Sequence, residues 1–242
     1  MIAGIQGLGW VTAESYGQGG ELASCRLSEG ELPRLRGKQV FPEGHPRFGR
    51  LDMFSKIGFG ALAFAMADAG WAAWQQKRRV GIVAATEYGC LQTDADYYDT
   101  VIPDDGECAS PNLFAYTLPN CFLGEAALQF GLSGPTYVLN HRAGDELAGL
   151  RAAIQELHWE ELDGVLAGVV NVAGPCLDSQ PRALPPGAVF VLLTADDRDA
   201  MYGALSLAAD GNCRHNGRVV DSWQALIEAA LATRCADQGG TS

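Results

Sequence analysis

The chain has no run of about 18 consecutive apolar residues, which removes a transmembrane helix from consideration. Its first residues, Met1-Ile2-Ala3-Gly4-Ile5, carry neither a basic segment nor a small-residue cleavage site, so no secretory signal is read there. A soluble, cytoplasmic protein is the expectation. Cysteines stand at 25, 90, 108, 121, 176, 213 and 235, yet no two form a Cys-x-x-Cys pair. The histidines, at 45, 141, 158 and 215, lie too far apart for His-x3-5-His ligation, so structural zinc is not expected. An odd thiol count without a secretory signal favours reduced cysteines over a disulfide framework. Positive charge is also scarce, with 17 Lys and Arg against 29 Asp and Glu and a net charge of −12. Such a balance argues against non-specific nucleic-acid binding, which needs cations to displace counterions from phosphates.

What is present is an ordinary globular composition, 48% apolar over 242 residues, enough for one large domain or two small ones with a sizeable core. The charge is unevenly placed. Residues 1–80 hold 10 Lys or Arg against 7 Asp or Glu, which leaves 7 against 22 for residues 81–242. A basic N-terminal third on an acidic protein marks either a docking face for an acidic partner or a solvated surface, and the second is the commoner case.

The apolar pattern alternates between strand and helix. Residues 1–12 read as a first core strand, residues 17–46 as mostly loop with one short helix, and Arg50 to Trp71 as a helix buried around most of its circumference and closed at Gly70. Gly58 and Gly60 weaken that helix by roughly 1 kcal/mol each, which predicts close approach of another backbone. VGIVAAT, residues 80–86, has the continuous apolar run of a parallel strand covered on both faces. Further strands are expected at 136–140, 163–170 and 187–194, with helices at 145–158 and Ser222–Thr233 and a disordered polar end, DQGGTS. Strands alternating with helices predict an α/β architecture. The acidic stretch 94–107, DADYYDTVIPDDGE, invites a calcium reading. However, Tyr98 occupies a ligand position of the Asp-x-Asp-x-Asp-Gly pattern, and a solvated loop or frayed helix explains the charge more simply.

Three segments in order, RLDMFSKIGFGALAFAMADAGW, RRVGIVAATEYG and SPNLFAYTLPNCFLGEAALQFGLSGPTYVLN, resemble the N-terminal half of β-ketoacyl synthases. The resemblance implies the thiolase fold. In full-length members this is two related α/β halves stacked as five layers, and one half here would be a mixed, mostly parallel sheet with helices on both faces. It places a β-ketoacyl synthase-like N-terminal domain at residues 1–195 and leaves residues 196–242 as an extension with one helix. In that family the strand after Gly-Pro leads into a Thr-Ala-Cys turn whose cysteine opens a buried helix, because the thiolate and not the thiol attacks the acyl thioester. Counting from Gly134-Pro135, the cysteine position is Ala143, which has no nucleophile. The two histidine motifs that the family carries on its C-terminal half are not present, and the residues after 195 are too few to build that half.

Two residues could stand in for the nucleophile and its base. Cys121 is placed to open a helix whose N-terminus would lower its pKa, and His141 to supply a base; packing is the plainer reading for both. The helix after Ala143 has Leu147, Leu150, Ile154 and Leu157 on one stripe and polar residues elsewhere, as a half without its second half requires. The resemblance therefore implies a non-catalytic homologue, a binding or scaffolding partner in fatty-acid or polyketide biosynthesis, as chain-length-factor subunits are in aromatic polyketide and aryl polyene pathways. No cofactor is implied. The alternative is half of a split condensing enzyme, or an acyl transferase or hydrolase using Cys121. In the family the strand equivalent to Thr136, Tyr137, Val138, Leu139 and Asn140 pairs across a two-fold axis. This predicts a homodimer, or a heterodimer with a full-length ketosynthase, and an acyl carrier protein as a further partner.

Overall fold

The structure, a computed structural model, describes all residues except 22–23, 142–143, 178–183, 199 and 240–242, and all described side chains except those of residues 104 and 237–239. In chain order its strands are β1 (Ile2–Thr12), β2 (Tyr16–Gln18), β3 (Val80–Thr86), β4 (Thr136–Asn140), β5 (Gly164–Asn171), β6 (Gly187–Thr194), β7 (Ala204–Leu207), β8 (Cys213–His215) and β9 (Arg218–Val220). Its helices are α1 (Gly37–Val40), α2 (Met53–Asp68), α3 (Leu91–Val101), α4 (Pro111–Phe114), α5 (Cys121–Phe130), α6 (Ala148–Trp159) and α7 (Trp223–Gly239).

One sheet runs β4-β3-β5-β6-β1-β7-β8-β9, with β2 added to β1. It is mixed, as expected, but its parallel part is smaller than the mostly parallel sheet anticipated. Only the β3–β4 and β3–β5 ladders are parallel, while β6 enters antiparallel to β5 and β1 antiparallel to β6. The apolar run of β3 is buried at every residue, and alternation along the strand sends its side chains to two different cores. Ile82 and Ala84 join the cluster built with α2 and α5, whereas Val83 joins the cluster built with α6 and α7. Helices thus cover both faces.

Helix α2 starts where Asp52 accepts a hydrogen bond from the Ser55 backbone N–H, and it is followed by Gly70 in the left-handed region. Close backbone contact does occur along this helix, but at the strand's glycines instead of its own. A Cβ on Gly9 would fall 2.3 Å from the carbonyl oxygen of Ala61. Gly58 and Gly60 instead make room for side chains, a Cβ on either lying 2.9 Å from the Phe122 ring or from Leu35 Cδ1. The expectation of a second backbone at Gly58 and Gly60 is corrected accordingly.

The acidic stretch is ordered as α3 and a 3-10 turn over Ile102–Asp104. Among the described residues no group of three or more His, Cys, Asp or Glu is placed to hold a metal, and no helix is long and apolar enough to cross a membrane.

Residues 196–242 contribute more than one helix. Strand β7 pairs with β1, and β8 and β9 form a hairpin closed by Asn216 and Gly217, both at positive φ. Helix α7 buries Trp223, Leu226, Ile227 and Ala230 completely, and it continues past Thr233 to Gly239. The expected disordered end falls on residues 237–242, of which 240–242 lie outside the described residues. A buried carboxylate fastens this region to the rest. Asp68 accepts hydrogen bonds from the Leu8 N–H (2.9 Å), the Gly20 N–H (2.7 Å) and the Tyr202 hydroxyl (2.6 Å), and it faces Arg234 of α7 at 3.6 Å. Three hydrogen bonds and the facing guanidinium compensate the carboxylate, so its charge is tolerated in the core.

Candidate functional site

Open α/β sheets offer their crevice at the carboxyl ends of parallel strands. Here β3 ends at Thr86 beside Asn140 of β4, and Asn171 closes β5 next to them. The polar ends of these apolar strands form a hydrogen-bonded knot. Asn171 Oδ1 accepts from the Glu87 N–H (3.0 Å) and the Thr86 hydroxyl (3.3 Å), Thr86 Oγ1 accepts from the Gly89 N–H (2.9 Å), and Glu87 Oε1 accepts from the Leu184 N–H (3.0 Å). Sequence reading passed over these residues. A polar side chain closing an otherwise apolar run was the available signal, since such groups are buried only when bonded.

His141 follows β4 directly, its N–H donating to the Thr86 carbonyl at 3.0 Å and its side chain buried. Arg142 and Ala143, the latter at the expected nucleophile position, lie outside the described residues. Their flanks are described: Gly144 has φ 85°, and α6 begins at Ala148. Between the end of β4 and that helix the sequence is His-Arg-Ala-Gly-Asp-Glu-Leu, with no cysteine, serine or threonine. The turn therefore has no thiol or hydroxyl nucleophile at any of its positions.

The start of α6 is also clasped by the C-terminal region. The Glu146 carbonyl accepts from Trp223 Nε1 at 3.0 Å, and its carboxylate accepts from the Trp223 N–H at 3.3 Å. Burial pushes the Glu146 carboxyl above its ordinary value. The Trp223 N–H and His141 oppose that shift, and the charges of Asp221 and Glu87 add to it. A polar cleft of about 180 Å³ separates this turn from the β8–β9 hairpin, lined by Gly144, Asp145, Arg151, Asn212 and Asp221 among others. Arg151 and Asp145 pair on the turn's side of it.

Cys121 is the first residue of α5, as expected, but its thiol is not activated. Burial pushes its pKa up, a Leu118 backbone contact opposes this, and the carboxylates of Asp52 and Glu125 push further. This corrects the expected lowering by the helix N-terminus. Its Sγ–H donates to the Ala115 carbonyl at 3.1 Å, and no histidine is among the groups that shift it. A protonated thiol without a base is a poor nucleophile.

Strand β4 lies at one end of the sheet. Its odd-numbered residues face β3, as the Ile82 N–H to Pro135 carbonyl and His141 N–H to Thr86 carbonyl bonds establish. The backbone N–H and C=O groups of Thr136, Val138 and Asn140 therefore point outward. Val138 packs against the α2–α5 cluster, while Tyr137 and Leu139 pack against the α6–α7 cluster. The Tyr137 hydroxyl donates to Glu156 of α6 at 2.9 Å.

The family model of the β-ketoacyl synthase N-terminal domain matches residues 37–180. Among solved structures, the ishigamide ketosynthase/chain length factor is 15% identical with a TM-score of 0.65, over 88% of this chain and 69% of that one. AntDE:AntF, a type II polyketide synthase acyl-carrier protein in complex with its ketosynthase bound to the hexaketide, gives 18% identity and a TM-score of 0.67 over 85% and 67%. The ketosynthase ApeO in complex with its chain length factor ApeC from Xenorhabdus doucetiae gives 16% and 0.57 over 82% and 81%. At these identities the likeness is one of fold. No curated protein matches the chain.

Proposed function

The chain belongs to the β-ketoacyl synthase family through its N-terminal domain, and from that premise we propose that it is a non-catalytic member acting as a binding or scaffolding partner of a ketosynthase. Polyketide or fatty-acid assembly, of the aryl polyene kind, is the setting. The observation that carries this reading is the turn between β4 and α6. Acyl transfer in the family begins with a thiolate there, and residues 141–147 contain no thiol or hydroxyl to take up the acyl group as a thioester or ester. The raised thiol of Cys121, with no histidine acting on it, counts against a relocated nucleophile.

The open backbone of β4 supports pairing with a ketosynthase or with a second copy, because an edge strand with neither charge nor proline calls for cover. An acyl carrier protein suits the basic N-terminal third. Arg34, Arg36, Lys38 and Arg50 are exposed there and enter no ion pair among the described residues. Reconstitution tests the proposal. The purified chain is incubated with malonyl and acyl carrier thioesters, alone and with a ketosynthase, and product and complex mass are followed. No product from the chain alone, together with a stoichiometric complex that changes the ketosynthase's product, is the expected result. Condensation by the chain alone contradicts it, as does a ketosynthase unaffected in mass and product.

A further inference from the structure

Six asparagines occur in the chain, at 112, 120, 140, 171, 212 and 216, and Asn216 alone is followed by glycine. The pair Asn216-Gly217 makes the two-residue turn between β8 and β9, with His215 opposite Arg218 and positive φ at both turn residues, 46° and 81°. Asparagine is thermolabile because the backbone nitrogen that follows it can close on its amide, and a glycine at that place offers no side chain to obstruct the approach. Gly217 leaves its nitrogen open. It is exposed, and its N–H donates no hydrogen bond among the described residues. The three Asp-Gly pairs differ in this respect. The Gly106 N–H donates to the Val101 carbonyl at 2.9 Å, the Gly211 N–H donates to the Ala208 carbonyl at 3.0 Å, and Gly164 is buried in β5.

The amide, in contrast, is held. Asn216 Oδ1 accepts from the Ala204 N–H of β7 at 2.9 Å, its Nδ2 donates to Thr233 Oγ1 of α7 at 3.2 Å, and a Cβ on Gly203 would fall 2.6 Å from that Nδ2. An amide engaged through both of its polar atoms is not free to rotate onto the Gly217 nitrogen while these bonds stand. We propose that Asn216-Gly217 is a deamidation site gated by α7, an irreversible timer on the β9 end of the sheet. When the hairpin lifts from α7, the Gly217 nitrogen gives up its proton to water or hydroxide and bonds to Asn216 Cγ. The Cγ–Nδ2 bond breaks and ammonia leaves. Water then opens the resulting five-membered imide, so that the net reaction converts amide and water to carboxylic acid and ammonia. Opening at the side-chain carbonyl leaves an ordinary aspartyl link. Opening at the backbone carbonyl routes the chain through the side chain and adds a methylene to a two-residue turn, which disturbs the pairing of His215 with Arg218.

Peptide mapping by mass spectrometry tests the site. Folded wild type and Thr233→Val are held in mildly alkaline buffer beside the urea-unfolded chain, and amide loss is followed at every asparagine. Residue 216 should be the first converted. Since the reaction proceeds from the open form, its rate follows the population of that form. Thr233→Val removes the acceptor for Nδ2 and should react about threefold or more faster than wild type, as the loss of one hydrogen bond allows. The unfolded chain should be faster than both. Wild type in urea below its unfolding transition should also accelerate, which keeps the test valid if Thr233→Val folds poorly. Asn216→Asp keeps an acceptor for the Ala204 N–H and should melt close to wild type, whereas aged protein carrying the isoaspartyl link should melt lower. Earlier conversion of another asparagine overturns the proposal, as do equal rates in folded wild type, Thr233→Val and the unfolded chain. An isoaspartyl form as stable as Asn216→Asp overturns its effect on the hairpin.

Discussion

The two ends of the sheet are finished differently. At one end β4 presents five residues with no charge and no proline, with the N–H and C=O groups of Thr136, Val138 and Asn140 pointing outward. At the other, β9 is three residues long, begins with an exposed Arg218 and has α7 packed against it. Short, charged edges resist further pairing, and long uncharged ones invite it. The difference assigns the β9 end to the chain's own stability and leaves the β4 end available for association.

The largest effect should come from attacking the closed end. Trp223→Ala removes a fully buried side chain and both the packing and the Nε1 hydrogen bond that hold Glu146, and it should cost about 3–5 kcal/mol by urea unfolding. Next is a matched pair of prolines. Val138 and Val219 both point their N–H away from the neighbouring strand, Val219 because it lies opposite Arg214, one step beyond the hydrogen-bonded pair that closes the hairpin. Proline at either site spares the ladder. Val138→Pro should abolish assembly as seen by light scattering, and Val219→Pro should leave it intact; equal loss from both would erase the contrast.

Smaller effects probe the clasp and the strand. The folded state holds the Glu146 carboxyl above its ordinary value of 4.5, so ionisation is disfavoured by folding. Stability is lost as pH rises from that value through the raised one. Glu146→Gln keeps an acceptor for the Trp223 N–H and escapes this loss. Its melting temperature should exceed that of wild type at pH 7, and the gap should close as the pH falls below 4.5. Tyr137→Phe, which removes only the hydroxyl bonded to Glu156, should cost about 1 kcal/mol and leave assembly unchanged.

The sequence revealed most of the family-like part of the sheet. VGIVAAT, TYVLN and GAVFVLLT became strands at the residues expected, because continuous apolar runs bounded by turn residues have few other ways to be buried. Strands β7, β8 and β9 escaped notice. Three or four residues carry too little periodicity to identify, and the burial of β8 depends on α7, which follows later in the chain. The acids of residues 94–107 obscured a helix, since solvated side chains give no apolar stripe to read. At the site, the reading of Ala143 as the nucleophile position rests on the sequence alone, since that residue lies outside the described ones, and the Thr86–Glu87–Asn171 knot and the Trp223 clasp join residues more than 70 positions apart, which no local pattern signals.

The proposed non-catalytic role means that this member of a thioester-forming family forms no thioester. Intact-mass measurement after incubation with an acyl carrier thioester tests it most directly, read with peptide mapping of all seven cysteines. The unmodified mass is expected throughout; an acyl group retained on Cys121 or on any other side chain overturns the non-catalytic reading.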